Sequence, residues 1–213
     1  PTARYESFDS LDKVKLFTNE DEPVVIKASG LAAGKGVILC GNGDEARSAI
    51  ESIMGEKAFG DAGNQVVVEE FLTGQEVSLL AFTDGKTVLP LDSAQDHKAA
   101  FDGDKGPNTG GMGAYSPAPV FTKELKQQVV NEIMNPTVRA MAKEGRYYRG
   151  ILYAGLMLTE SGPKVLEFNA RFGDPETQPI MMRIKNDIVP IFEACIDGTL
   201  EKHSLQWKQE PTV

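Results

Sequence analysis

The segment VLEFNARFGDPE, residues 165–176, sets a carboxylate and an amide two residues apart in a stretch that reads as a strand. Side chains alternate between the faces of a strand, so Val165, Glu167 and Asn169 are expected on one face. A carboxylate and an amide oxygen side by side are hard donors. Mg²⁺ takes such donors and fills its other positions with phosphate oxygens and water. Arg171 follows at the strand end, where a planar guanidinium can grip a carboxylate or phosphate through two parallel hydrogen bonds. The same pattern also describes an exposed polar face, and the residues alone leave both readings open.

A second candidate is VVIKASGLAAGKGVIL, residues 24–39. It fails the phosphate-loop pattern G-x-x-x-x-G-K-[ST]. Three residues separate Gly30 from Gly34, Gly36 stands where the hydroxyl belongs, and Val37–Leu39 reads as a strand rather than a helix. A glycine-rich hairpin that exposes backbone N–H groups to phosphate is still open. Lys27, on the face opposite Val24, Ile26 and Ala28, is either a solvated lysine or a phosphate contact, and Lys35 at the tip reads as solvated. In VVVEEFLTGQE, Glu69, Glu70 and Glu76 crowd a strand–break–strand unit. That is either a charged sheet edge or a hinge whose backbone reads an adenine edge while a carboxylate holds ribose hydroxyls.

Residues 92–119 form a long segment rich in glycine and proline. Asp96, His97 and Lys98 make a compact polar set, and NTGGMG, with Asn108, Thr109, Gly110 and Gly111, allows close backbone approach to a ligand. The chain's other histidine, His203, is far along the sequence, which argues against zinc. No Ser/His/Asp or Cys/His order suggests a nucleophile.

The elements that must position these groups follow from periodicity. Residues 8–17 read as a helix capped by Ser7, 24–28 and 37–40 as strands, and 43–54 as an amphipathic helix. Strands are expected over 65–70, 76–82 and 86–91, with Asp84-Gly85 as a hairpin turn. Residues 92–119 read as irregular, and 122–143 as a helix capped by Thr122 and broken or kinked at Pro136. A strand pair, 151–159 with 164–169, precedes helices over 175–183 and 187–196. The expected class is α+β: a small lobe, 1–63, and a larger antiparallel-sheet lobe, 64–213, with a cleft between them.

Composition bounds the partners. The 213 residues are 41% apolar with a net charge of −9, which argues against nucleic acid or an anionic membrane as a partner. A local lysine cluster with a bound cation can still invert the sign of one pocket. Cys40 and Cys195 sit in apolar contexts and read as buried reduced thiols of a reducing, cytoplasmic compartment. The chain opens at Pro1 without an initiator Met, so an excised piece of a longer protein is expected.

Together, VVIKASGLAAGKGV, VVVEEFLTGQEVSLL, SAQDHKAAFDGDKGPNTGGMGAYSPAP and VLEFNARFGDPETQ resemble the ATP-grasp superfamily, and within it the phosphoribosylamine–glycine ligase family. The resemblance runs over nearly the whole chain. It implies an ATP-grasp fold with ATP in the cleft, and Mg²⁺ (or Mn²⁺) as cofactor. The implied reaction joins glycine to 5-phosphoribosylamine through glycyl phosphate, in purine biosynthesis. By the resemblance, Lys27 contacts the ATP phosphates and the turn with Gly30, Gly34, Lys35 and Gly36 closes over them. Glu69, Glu70 and Leu72 match the adenine hinge, Glu76 the ribose carboxylate, and Glu167 and Asn169 the metal ligands. Arg171, Asp96–Lys98 and Asn108–Gly113 would border the acyl phosphate and substrates. The pattern departs from the superfamily at one point: residues 153–158 offer no further metal-binding acid. The resemblance also implies flanking domains covalently linked in the full-length protein. The alternatives are another ATP-grasp carboxylate–amine ligase or carboxylase, or a nucleotide-binding fragment inactive by itself.

Overall fold

The computed structural model describes the chain except residues 18–21, 31, 33–35, 98, 103, 104 and 110. It divides into two compact units, Thr2–Leu72 and Pro1 with Thr73–Val213.

In the small unit the order is β1 (Tyr5–Phe8), α1 (Leu11–Phe17), β2 (Val24–Ala28), β3 (Val37–Cys40), α2 (Gly43–Ile50) and β4 (Val66–Glu70). The strands form one antiparallel sheet in the order β1-β4-β2-β3. Alternation sends Val24, Ile26 and Ala28 of β2 and Val66 and Val68 of β4 into a core with Ala46, Ala49, Ile50 and Ile53. Lys27 therefore lies on the other face. Asn42 caps α2 by accepting the Glu45 N–H at 3.0 Å, while Glu45 accepts the Gly41 N–H at 2.8 Å.

Two expectations are corrected here. Ser7 is not a helix cap; it stands in β1 opposite Val67, and α1 begins after Ser10, whose carbonyl accepts the Val14 N–H. The boundary expected at residue 63 lies after Leu72, because β4 is laddered to β1 and β2.

The larger unit holds β5 (Gln75–Thr83), β6 (Val88–Pro90), β7 (Gln95–Asp96), β8 (Ala99–Phe101), β9 (Lys105–Asn108) and β10 (Ala114–Tyr115). Then come α3 (Lys123–Val129), α4 (Asn135–Lys143), β11 (Gly150–Thr159), β12 (Gly162–Asn169), α5 (Thr177–Arg183) and α6 (Val189–Asp197). The main sheet runs β12-β11-β5-β6 and is antiparallel. Its strands alternate between two cores. Val77, Leu79 and Ala81 pack with Val129, Ile133 and Val138 on one face. Leu80 and Phe82 pack with Ile180, Ile191 and Cys195 on the other. Thr122 caps α3, and a π-turn over Val130–Met134 joins it to α4 just before Pro136.

The segment expected to be irregular carries two ribbons, β7 with β10 and β8 with β9. Strands of two to four residues are too short to display alternation. The register of β12 also differs from expectation. Between Gly155 and Leu156 it shifts, so that Glu167 pairs with Gly155 while Val165 pairs with Leu156. The extra residue of this bulge reverses the alternation. Val165 accordingly packs in the first core and does not share a face with Glu167.

A buried cation ties the C-terminal segment to this unit. Arg183, 4% exposed, meets Asp92 at 2.8 Å and Ser116 Oγ at 3.0 Å, and donates to the carbonyls of Lys208 and Glu210. Lys126 holds the other Asp92 oxygen at 3.0 Å. Removing one partner leaves a buried charge uncompensated. Asp92→Ala is expected to cost about 3 kcal/mol, checked by denaturant titration.

Candidate active site

In the small unit, Lys27 reaches diagonally from β2 to β4, its Nζ 2.7 Å from Glu69 Oε2, with both side chains mostly buried. The lysine is thus held on the sheet face away from the helices by its partner. The neighbouring Glu70 accepts from Arg4 Nε at 2.6 Å, and Leu72 is half-buried.

The turn glycines answer to close approach. The Gly30 N–H donates to the Ala62 carbonyl at 3.2 Å, and a Cβ there would stand 2.5 Å from Ala62 Cα. The Gly36 carbonyl accepts from Ala28 at 2.8 Å, and a Cβ there would stand 2.6 Å from Ala32 Cβ. Gly34 and Lys35 lie outside the described residues.

In the larger unit, two cross-strand rows share one face of the main sheet. Ser78, Gly155 and Glu167 form one row; Leu80, Tyr153 and Asn169 form the next. Asn169 Nδ2 donates to Glu167 Oε1 at 3.0 Å, so the two side chains expected to serve as hard donors are brought together. Glu167 is exposed, and among the described residues no group of three or more His, Cys, Asp or Glu side chains is built to hold a metal. Two adjacent hard donors fit a cation that takes its other ligands from phosphate and water, and do not fit a closed zinc site. Glu76 is in β5, and its carbonyl accepts from Gln95 Nε2 at 2.9 Å. Arg171 is exposed just past β12 and donates to the Phe172 carbonyl at 2.8 Å.

The β7–β10 ribbon gathers part of the expected substrate set. Asp96 pairs with Ala114, and His97 exchanges backbone hydrogen bonds with Gly113 and Met112. Gly111 has φ +102°, and a Cβ there would lie 3.0 Å from Asp96 Oδ1 and 2.6 Å from Pro175 Cδ. Only glycine suits that conformation and that space. Asp96, Gly111 and Pro175 therefore converge. Thr109 Oγ1 accepts the Gly111 N–H at 3.2 Å, and Asn108 pairs with Ala99 in the β8–β9 ribbon. Lys98 and Gly110 lie outside the described residues.

A buried cluster was missed by the sequence reading. Glu176, 2% exposed, accepts at Oε1 from Tyr153 at 2.5 Å and Ser78 at 2.9 Å, and those two hydroxyls are 2.8 Å apart. Burial, reinforced by the Glu176 carboxylate, pushes the Tyr153 phenol well above its ordinary pKa. A glutamate just before a helix reads as an ordinary surface residue, and no local signal marks this one as buried.

The model of the phosphoribosylglycinamide synthetase ATP-grasp (A) domain matches residues 1–177. The chain is 54% identical over 215 residues to a phosphoribosylamine–glycine ligase of Pseudomonas aeruginosa, covering 100% of this chain and 50% of that one. It thus spans about half the length of the curated relatives it matches. The crystal structure of the phosphoribosylamine–glycine ligase of Thermotoga maritima superposes with TM-score 0.80 at 35% identity, covering 92% of this chain and 50% of that chain. The biotin carboxylase domain of a Hydrogenobacter thermophilus 2-oxoglutarate carboxylase, in complex with MgADP, gives TM-score 0.70 at 20% identity over 96% of this chain and 43% of that one. At that identity the likeness shows the α+β ATP-grasp fold alone.

Proposed function

The chain belongs to the phosphoribosylglycinamide synthetase ATP-grasp (A) domain family, and from that membership we propose that it supplies the ATP-binding and phosphoryl-transfer groups for ligating glycine to 5-phosphoribosylamine. In this reading a glycine carboxylate oxygen attacks the γ-phosphorus and ADP leaves. The ribosylamine nitrogen then attacks the acyl carbon of glycyl phosphate, loses a proton, and expels phosphate. The products are glycinamide ribonucleotide, ADP and phosphate, a step of purine assembly in the cytoplasm.

The work asked of the protein is positioning and charge neutralisation. Lys27 is assigned to the phosphates, and its ion pair with Glu69 supports the role by fixing the ammonium in place. Backbone groups at Glu69, Glu70 and Leu72 are assigned to the adenine edge, Glu76 to the ribose, and the turn with Gly30, Gly34, Lys35 and Gly36 to the phosphates. Glu167 and Asn169 would hold Mg²⁺ or Mn²⁺, which supplies charge neutralisation at phosphate oxygens when bound. Arg171, Asp96, His97, Lys98, Asn108, Thr109, Gly110 and Gly111 are assigned to glycine, the amine and the acyl phosphate. The observation that carries the choice of ligase is the match along the entire chain to relatives bearing that name.

Nucleotide binding is tested by melting. At a hundred times its Kd a ligand adds about 2.7 kcal/mol to the folded state. Each kcal/mol moves the melting temperature of a chain this size by about 2–4 °C. Saturating Mg·ATP is therefore expected to raise it by about 5–11 °C. An unchanged melting temperature overturns the assignment of a nucleotide site.

A further inference from the structure

Glu176 is a carboxylate 2% exposed, and no step proposed above uses it. Its surroundings connect three segments of the larger unit. Tyr153, which donates to it at 2.5 Å, is the cross-strand partner of Asn169. Ser78, which donates at 2.9 Å, is the partner of Gly155, whose other neighbour is Glu167. A Cβ on Gly155 would touch Glu167 Cγ at 3.3 Å and Tyr153 Cε2 at 3.9 Å, so the metal-ligand glutamate and the tyrosine both border one glycine.

Ser78 also exchanges both backbone hydrogen bonds with Ala94, at 2.8 and 3.0 Å, directly before the strand that carries Asp96. On the other side of Glu176, Pro175 is packed against Gly111, which borders Asp96. A Cβ at Gly173 would stand 2.4 Å from Glu176 Oε2, so the turn after Arg171 closes directly on the carboxylate.

We infer that Glu176 is a positioning residue that, through Tyr153 and Ser78, sets the orientation of the Glu167–Asn169 pair and holds the Asp96 ribbon against the same sheet, without touching nucleotide or substrate. The physical reason is the cost of disorder in the layer behind a metal site. Partners one shell out fix the rotamers of ligands, and their loss typically lowers metal affinity or activity about 10–100-fold. Both hydroxyls converge on one oxygen of a carboxylate that is closed off from water, so neither side chain can rotate without leaving a buried polar atom unsatisfied. The inference rests on the reading of Glu167 and Asn169 as metal ligands.

The test uses the full-length protein and two titrations, Mn²⁺ in the presence of ADP and ADP in the presence of a chelator. Glu176→Ala is expected to weaken Mn²⁺ binding about 10–100-fold and to leave metal-free ADP binding unchanged. Glu176→Gln keeps an acceptor oxygen for both hydroxyls and is expected to recover most of the loss. Tyr153→Phe changes little volume and covers the case in which Glu176→Ala does not fold; it is expected to weaken Mn²⁺ binding several-fold without changing metal-free ADP binding. A lower melting temperature with unchanged Mn²⁺ affinity in the folded variants means a merely structural role and overturns the inference. So does equal weakening of both titrations. If the unmutated protein binds ADP but shows no Mn²⁺ site, the metal assignment itself has failed, and the inference falls with it.

Discussion

Glutamine in place of Glu167 is expected to slow ADP formation by the full-length protein by about a hundredfold to a thousandfold, the scale of losing one preorganised charge-stabilising group. The substitution is nearly isosteric at an exposed position, so the fold has little reason to change. The hydrogen bond from Asn169 to Oε1 also survives, because an amide carbonyl still accepts it. What is lost is the negative charge with which the proposed Glu167–Asn169 pair would hold a divalent cation. The Mg²⁺ concentration for half-maximal rate should rise together with the fall in kcat. The metal-dependent part of the Mg·ATP melting shift should shrink in parallel. A Glu167→Gln protein with the kcat and Mg²⁺ requirement of its parent overturns the metal assignment.

Lys27→Met is expected to produce a loss of similar size, about a hundredfold or more in kcat. Methionine keeps the unbranched stem but removes the ammonium. Lysine's ammonium is a compact point charge suited to a phosphate, and an arginine at this position would present a planar fork of different reach. The ion pair with Glu69 adds a control. Glu69→Gln leaves the ammonium and removes the charge that orients it. It should therefore cost less than Lys27→Met if the lysine acts on phosphate. If Lys27 serves only to neutralise Glu69, the two substitutions should impair the enzyme alike. Steady-state rates of both variants, with melting temperatures measured alongside, separate these outcomes.

Much of this was legible in the chain because the local signals are long. The strands at 24–28, 37–40 and 151–159 carry unbroken apolar or alternating runs, and the hairpin at Asp84-Gly85 has its own turn chemistry. Four features were not legible, and each depends on partners distant in sequence. Tyr5–Phe8 is a strand because β4 lies beside it, although Ser7 and Phe8 read as the cap and first residue of a helix over 8–17. The shift that moves Val165 away from Glu167 is a property of pairing with β11, and no residue type in 165–169 announces it. The β7–β10 and β8–β9 ribbons are too short for a period to appear. Glu176 becomes a buried acceptor only when Ser78 and Tyr153, 98 and 23 residues away, are folded beside it. The pair Glu167 and Asn169 could be found from sequence because the bulge falls before Glu167, so from there on two-residue spacing keeps both side chains on one face.

The most direct test of the central claim follows an oxygen atom. If the glycine carboxylate attacks the γ-phosphorus and the acyl phosphate is then opened by an amine, the bridging oxygen departs with phosphate. The full-length protein should be supplied with Mg·ATP, freshly generated 5-phosphoribosylamine, and glycine whose carboxylate carries heavy oxygen. Mass spectrometry of the inorganic phosphate is then expected to show one heavy oxygen transferred per ADP formed, with ADP release requiring glycine. Phosphate that stays unlabelled while the amide product accumulates would contradict the account.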